Sequence, residues 1–102
     1  VPRTLGGPPT LPILAAPAPN PTRGRVTLTF NLRSAKGVSF TIHDIGGRMV
    51  RRTTLGELPV GQHDWVWDGQ DDRGRAVPSG VYLGRLMLDG APAAERRILM
   101  LN

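Results

Sequence analysis

The chain has 102 residues, of which 39% are apolar and 21% are charged, so it has the size and composition of one small domain. The sequence contains no cysteine, which excludes a disulfide framework, a thiolate nucleophile and a zinc site built on sulfur. No apolar run approaches the roughly 20 residues that a helix needs to cross a bilayer, so we expect no membrane-spanning segment. The composition also argues against an enzyme.

The charge is strongly basic: 13 basic residues face eight acidic ones, which gives a net charge of +5. All the basic residues except Lys36 are arginines, and they are spread from Arg3 to Arg97. Binding of single-stranded nucleic acid would call for basic residues interleaved with aromatics, and the sequence has no such run. We therefore expect no nucleic-acid partner, and the charge favours solubility and loose attraction to acidic surfaces.

Residues 1–24 differ from the rest because they hold seven of the ten prolines. Proline fixes φ and removes a backbone donor, so this stretch is predicted to be an extended N-terminal arm rather than a helix or a central strand. The chain begins Val1-Pro2-Arg3 without methionine and without a signal peptide, which suggests a processed product or a piece of a larger protein. The predicted division is an arm over residues 1–24 and a domain over residues 25–102.

Period-two alternation predicts the first strands of the domain. The alternating apolar residues of the first two strands are Val26, Leu28, Phe30 and Leu32, followed by Val38, Phe40 and Ile42. Residues 48–55 are predicted to be a third strand with Val50 as its buried anchor, and Leu58 is expected to point inward from the connection that follows.

The second half of the chain continues the same pattern. Residues 62–67 are predicted to be a strand with His63, Trp65 and Trp67 on one face. Residues 68–78 are polar and rich in turn formers, and strands are predicted over 81–88 and 95–101. No segment shows helical periodicity, so the sequence predicts an all-β immunoglobulin-like β-sandwich of about seven strands.

A series of motifs makes the prediction more specific. They are Pro19-Asn20-Pro21, Ile42-x-Asp44-x-x-Gly47-Arg48-x-Val50, Leu58, Gly61, His63, Trp67-Asp68-Gly69-x-Asp71-x-x-Gly74, Val77, Ser79-Gly80-Val81-Tyr82 and Leu86. In this order the sequence resembles the FlgD-type immunoglobulin-like domain, and also the related type A C-terminal sorting domains of the bacterial type IX secretion system. The resemblance covers about residues 18–101.

The resemblance implies a non-catalytic sandwich in a bacterial protein that is secreted or lies at the cell surface. Such a domain is expected to be an address read by the secretion machinery, or a structural module, as in hook-capping proteins. Six residues are expected to build its structural motif: Trp67, Asp68, Gly69, Gly74, Gly80 and Tyr82. Trp67 would cap the core, Asp68 and Gly69 would form a turn, and Gly84 indicates a bulge or the close approach of an aromatic ring.

Three groups of side chains allow binding or catalytic hypotheses. Asp68, Asp71 and Asp72, with Asp64 nearby, could bind calcium through oxygen ligands. The alternative is that they form turns, because Arg73 and Ser79 occupy the positions where an EF-hand needs glycine and glutamate. The histidines His43 and His63 have no partner at metal-site spacing. Trp65 and Trp67 could stack on a glycan if they were exposed, although their shared face favours the core.

The arm allows a further hypothesis, because Leu11, Ile13 and Leu14 form a short apolar patch within it. This patch could bind a partner by adding a strand to a neighbouring subunit, which would build a homo-oligomeric filament or surface fibre. The alternative is that it packs on its own domain as an edge strand. The preferred interpretation is therefore an extracellular structural or export-related module, followed by a self-assembling fibre subunit and then by a calcium- or glycan-binding adhesion module.

Overall fold

The computed structural model describes residues 13–102, and all their regular structure is β. The six strands follow the alternating apolar pattern of the sequence: β1 (Val26–Leu32), β2 (Lys36–Asp44), β3 (Met49–Leu58), β4 (Gly61–Trp67), β5 (Gly80–Leu88) and β6 (Ala91–Met100). Within this part of the chain no helix is long and apolar enough to cross a membrane. The predicted all-β immunoglobulin-like sandwich is confirmed.

The strands form two antiparallel sheets. One sheet has the order β1-β4, and the other has the order β3-β2-β5-β6. In the smaller sheet Val26 lies opposite Trp67 and Phe30 lies opposite His63. In the larger sheet β2 and β5 lie in the middle, so β3 and β6 are its outer strands.

The core lies between the two sheets and is built from the alternating apolar positions. Phe30, Phe40 and Ile42 are fully buried, as the sequence predicts. Phe30 meets Phe40 edge to face with ring centroids 5.4 Å apart, and Trp65 stacks on Phe40 at 4.7 Å. Burial of these side chains is the main stabilising contribution, at about 1.5–3 kcal/mol for each large apolar side chain.

Residues 13–22 pack on both sheets of their own domain. The amide of Ala15 donates to the carbonyl oxygen of Thr29, and Ala18 and Thr27 exchange two backbone hydrogen bonds, so the segment lies antiparallel to β1. Thr22 then forms a parallel bridge to Met100 of β6. These contacts are isolated bridges, which is why the described part has six strands rather than about seven.

Two expectations about individual residues need correction. Val50 packs against the core but is only half-buried, because it also lines a groove that is open to solvent. Gly84 does lie at a close approach, but its neighbours are aliphatic rather than aromatic: a Cβ there would lie 3.1 Å from Cδ1 of Ile98 and 3.6 Å from those of Ile42 and Leu28.

Candidate functional site

The connection between β4 and β5, residues 68–79, carries most of the family-like motif and is held by hydrogen bonds to its own backbone. The indole Nε1 of Trp67 donates to the carbonyl oxygen of Gln70 at 2.9 Å, and the ring is fully buried. The carboxylate of Asp68 accepts the amide of Gln70 at 3.0 Å, which makes an Asx turn. The amide of Val77 donates to the carbonyl oxygen of Gly69 and closes the connection on itself.

Tyr82 anchors the far side of this connection. Its hydroxyl donates to the carbonyl oxygen of Pro78, four residues earlier, at 2.7 Å, and its ring meets Trp67 edge to face. Burial raises the pKa of the Tyr82 phenol, with the negative charge of Asp44 adding to the effect. The arrangement resembles the tyrosine corner of immunoglobulin-like domains. Sequence reasoning selected Tyr82 but missed this bond, although the tyrosine just inside a strand after a Pro-Ser-Gly turn is the signal for it.

Gly69 allows the connection to pass close to the N-terminal segment. Its φ is +78°, and a Cβ there would lie 2.6 Å from the carbonyl oxygen of Gly24. Only glycine satisfies both conditions without a backbone shift. Gly74 also has a positive φ, of +80°, but a Cβ there would meet only Oε1 of the Gln70 side chain, at an ordinary contact distance of 3.9 Å.

Two turns at this end of the sandwich have the same hydrogen-bond pattern. We call residues 44–48 the Asp44 turn and residues 71–75 the Asp71 turn. In each, the first aspartate accepts the amides of the third and fifth residues through Oδ1 at 2.9–3.0 Å. Its amide donates to the fifth residue's carbonyl oxygen, and its own carbonyl accepts the amide of a positive-φ glycine. Each turn ends in an arginine, Arg48 or Arg75.

The Asp71 turn is attached to the outer strand β3. The amide of Asp72 donates to the carbonyl oxygen of Val50 at 2.9 Å, and the Asp72 carboxylate accepts the amide of Arg52 at 3.1 Å. Arg51 donates to the carbonyl oxygen of Asp71 at 3.0 Å. The connection therefore covers the start of a strand edge that would otherwise expose unpaired backbone groups.

A groove of about 480 Å³ opens between the two turns. Its lining combines the turn residues with apolar side chains from the strands, and Tyr82 lies among them. The pKa of Asp71 is lowered, most strongly by the backbone amide of Arg75, which donates to its carboxylate. Desolvation opposes this effect, whereas the Arg73 amide and the positive charges of Arg75 and Arg73 lower the pKa further. At neutral pH the Asp71 turn is thus held by a carboxylate.

The three predicted calcium ligands do not converge. Asp68, Asp71 and Asp72 each direct an oxygen at a backbone amide, and Asp64 accepts the hydroxyl of Thr29 at 2.7 Å. Among residues 13–102 no three acidic or histidine side chains lie close enough together to hold a metal ion.

The remaining candidate side chains have structural surroundings. His43 Nε2 lies 3.1 Å from the hydroxyl of Thr41, and His63 Nε2 lies 2.8 Å from the carbonyl oxygen of Pro59. The buried Trp67 is not available to a glycan, and Trp65 stacks on Phe40. The two tryptophans therefore do not form an exposed platform.

The residues of the apolar patch in the N-terminal segment differ in how deeply they are buried. Leu14 is buried in the core of its own domain, and its carbonyl oxygen accepts a hydrogen bond from Arg96 Nε at 2.9 Å. Ile13 is 40% exposed. Leu11 lies outside the described residues, and a partner-binding role for the three residues stays a prediction.

The two-sheet sandwich with its tyrosine corner defines an immunoglobulin-like domain. The family model for the FlgD Ig-like domain matches residues 19–86. The chain belongs to the FlgD Ig-like domain family, so that half of the predicted resemblance is confirmed.

Known relatives and structures agree with this assignment. The basal-body rod modification protein FlgD of Salmonella typhimurium is 46% identical over 48 residues, which cover 47% of this chain and 21% of the relative. The crystal structure of FlgD from Pseudomonas aeruginosa is 27% identical with a TM-score of 0.58, covering 74% of this chain and 60% of that chain. The match thus spans about a fifth of the curated relative.

Two further structures share the fold at lower identity. FlgD from Xanthomonas campestris, whose structure is described in connection with hook capping essential for flagellar assembly, is 20% identical with a TM-score of 0.55, over 85% of this chain and 63% of that chain. Dimeric latent PorU from Porphyromonas gingivalis is 19% identical with a TM-score of 0.72, over 86% of this chain and 9% of that chain. At such identities the likeness shows the fold alone.

The functional prediction from the sequence is wrong. It placed the domain on secreted or cell-surface proteins as an extracellular structural or export-related module, whereas the curated relatives are basal-body rod modification proteins. These relatives do not support the fibre-subunit alternative or the adhesion alternative either. The strand-donation hypothesis also meets a physical objection, because Leu14 and Ala18 form bridges with β1 of the same chain. The predicted secreted or cell-surface location is overturned with the function.

Proposed function

We propose that this chain is a non-catalytic structural module that acts in flagellar assembly by contacting protein partners. The family match over residues 19–86 is the observation that carries the proposal. The names of the relatives, basal-body rod modification protein and a FlgD linked to hook capping, indicate the kind of assembly.

The geometry of the loop end supports a structural role. The side chains that could have done chemistry there are used to hold the connection: Asp68 and Asp71 accept backbone amides, and the Tyr82 hydroxyl bonds to Pro78. A general acid or base must reach a substrate atom, whereas these groups are directed at their own loop. We therefore assign the polar groups of the motif to holding the connection in place.

The division of the chain is part of the same proposal. The arm over residues 1–24 would lead into a sandwich over residues 25–102, and the support is that all six strands lie between Val26 and Met100. The bonds of Ala15, Ala18 and Thr22 to strands of the sandwich indicate that the second half of the arm is fixed to the domain.

The test is a domain exchange in a Salmonella typhimurium strain that lacks its own FlgD. The strain receives FlgD whose immunoglobulin-like segment is replaced by residues 13–102 of this chain, and swimming in soft agar and hooks per cell are measured. FlgD without any such segment is the baseline, and immunoblots establish equal protein levels. We expect the exchange protein to restore more swimming and more hooks than the baseline. An exchange protein present at the normal level that performs no better than the baseline contradicts the proposal.

A further inference from the structure

The groove between the Asp44 turn and the Asp71 turn has features beyond those of a structural connection. It has a volume of about 480 Å³, which falls within the range of about 300–1,000 Å³ typical of ligand pockets. A second depression lined by Arg48, Arg73, Arg75 and their neighbours adjoins it and shares Val50 and Asp71 with it. Together they form one recess across the end of the larger sheet.

The arginine side chains that line this recess keep most of their N–H donors free of protein partners. The lining contains three arginines, Arg48, Arg73 and Arg75, and three aspartates, Asp44, Asp71 and Asp72. The aspartates direct Oδ1 at backbone amides, whereas within residues 13–102 the guanidinium groups of Arg73 and Arg75 donate no hydrogen bond. Arg48 is 82% exposed and has a single long contact, 3.5 Å from its Nε to Asp44. The recess therefore offers at least three guanidinium groups to a ligand.

The floor and the rim of the recess are partly apolar. Val50, Val77 and Tyr82 contribute to the lining, and two large apolar side chains lie exposed beside it, Ile45 at 74% and Met49 at 46%. Single exposed apolar residues need no explanation. Here two exposed apolar side chains lie beside a groove that arginines line. Protein interfaces have a similar composition, because arginine and apolar side chains supply most of their binding energy.

We propose that this recess binds an acidic segment of a protein partner, with carboxylates on the arginines and an apolar side chain over Val50 and Tyr82. A guanidinium group presents paired N–H donors that match the two oxygens of a carboxylate. The aspartate Oδ1 atoms of the recess are occupied by backbone amides while most of the arginine donors are free, and the whole chain carries a net charge of +5, so the recess suits an acidic segment. The inference goes beyond the proposed function, because it assigns a surface and a ligand chemistry that hold whichever assembly contains the domain.

The test uses the full chain as the protein and a fluorescein-labelled peptide as the probe. The peptide Asp-Leu-Asp-Glu-Ile-Asp is compared with Asn-Leu-Asn-Gln-Ile-Asn, which has the same shape without charge, by fluorescence anisotropy at moderate salt. The variant Arg48→Ala/Arg75→Ala removes two charges from the recess. The matched control Arg33→Ala/Arg97→Ala removes two charges elsewhere, because Arg33 follows β1 at the opposite end of the sandwich and Arg97 lies in β6.

We expect the acidic peptide to bind about tenfold more tightly than its amide counterpart, and the recess variant to lose about tenfold in affinity, a difference of roughly 1.4 kcal/mol. The control variant should change affinity less than about twofold. Amide chemical shifts should move at residues 44–50 and 71–82. Equal losses in both variants, or equal affinity for a single-stranded oligonucleotide of the same charge, would show general anion attraction and overturn the proposal. This result is independent of swimming in the exchange strain, so the two proposals can fail separately.

Discussion

Trp67 and Tyr82 meet edge to face with ring centroids 5.7 Å apart, and each of them bonds through its polar atom to the connection between their strands. Trp67 donates to Gln70 and Tyr82 donates to Pro78. One aromatic pair therefore fills the end of the core and holds both sides of a long loop. Edge-to-face pairs contribute about 0.5–1.5 kcal/mol beyond the burial of their area.

Replacement of Tyr82 by phenylalanine removes the bond to Pro78 and keeps the ring against Trp67. We expect the free energy of unfolding to fall by about 0.5–1.5 kcal/mol, the usual net value of such a bond. Urea denaturation followed by tryptophan fluorescence measures it. An unchanged midpoint would show that the hydroxyl contributes nothing to the loop.

Gly69 and Gly47 form a matched pair for substitution by alanine. Both have positive φ, +78° and +90°, but only a Cβ at position 69 meets a backbone atom, while position 47 has nothing within 4 Å. Gly47→Ala should cost about 1–2 kcal/mol from the left-handed backbone alone. Gly69→Ala should cost at least about 1 kcal/mol more, because the chain must shift away from Gly24. Thermal unfolding of the two variants compares them, and equal losses would contradict the close approach.

The lowered pKa of Asp71 gives stability a specific dependence on pH. Because the native pKa lies below the ordinary value of 3.8, the contribution of the carboxylate is fully present above that value and is lost as the pH falls through the native pKa. Asp71→Asn removes this titration, so its unfolding free energy should fall less steeply than that of the wild type below about pH 4. Denaturation curves measured from neutral to acidic pH provide the comparison, and parallel curves would contradict it.

Leu14 and Ile13 test whether the N-terminal segment belongs to the core. Leu14 is 1% exposed, so Leu14→Ala should cost about 2–5 kcal/mol through lost burial and a cavity. Ile13→Ala should cost about 1 kcal/mol or less, since that side chain is largely at the surface. Guanidinium denaturation of both variants checks this. A Leu14 variant as stable as the Ile13 variant would show that the segment is not packed between the sheets.

Period-two alternation predicted the strands that supply the centre of the core. Phe30, Phe40 and Ile42 are buried because both faces of the pattern were unambiguous, with polar residues at every intervening position. The alternation did not predict that Val50 is only half-buried, because it shows which face points inward but not that an open groove lies beside the residue. It also missed the pairing of Ala18 with Thr27, since the prolines around residue 18 favour an extended chain without naming a neighbour.

The site was less predictable than the fold. The sequence identified Asp71 and Gly74 as turn residues, but the matching geometry of the two turns depends on hydrogen bonds between residues two to four apart, which leave no pattern of hydrophobicity in the sequence. The recess arises because two separate turns meet at one end. The assignment of a role failed because proteins as different as FlgD and PorU share this fold, so the residues that specify strands and turns do not identify the assembly that contains the domain.

Amide hydrogen exchange of the dilute monomer, resolved by residue with nuclear magnetic resonance, shows most directly whether the chain from Ile13 onward packs on both sheets of its own sandwich. We expect slow exchange at Ala15, Ala18 and Thr22, comparable to the amides of β1, because each donates to a strand of the domain. Exchange at these three amides as fast as in an unfolded chain, with β1 protected, would show that the segment is not fixed to the sandwich.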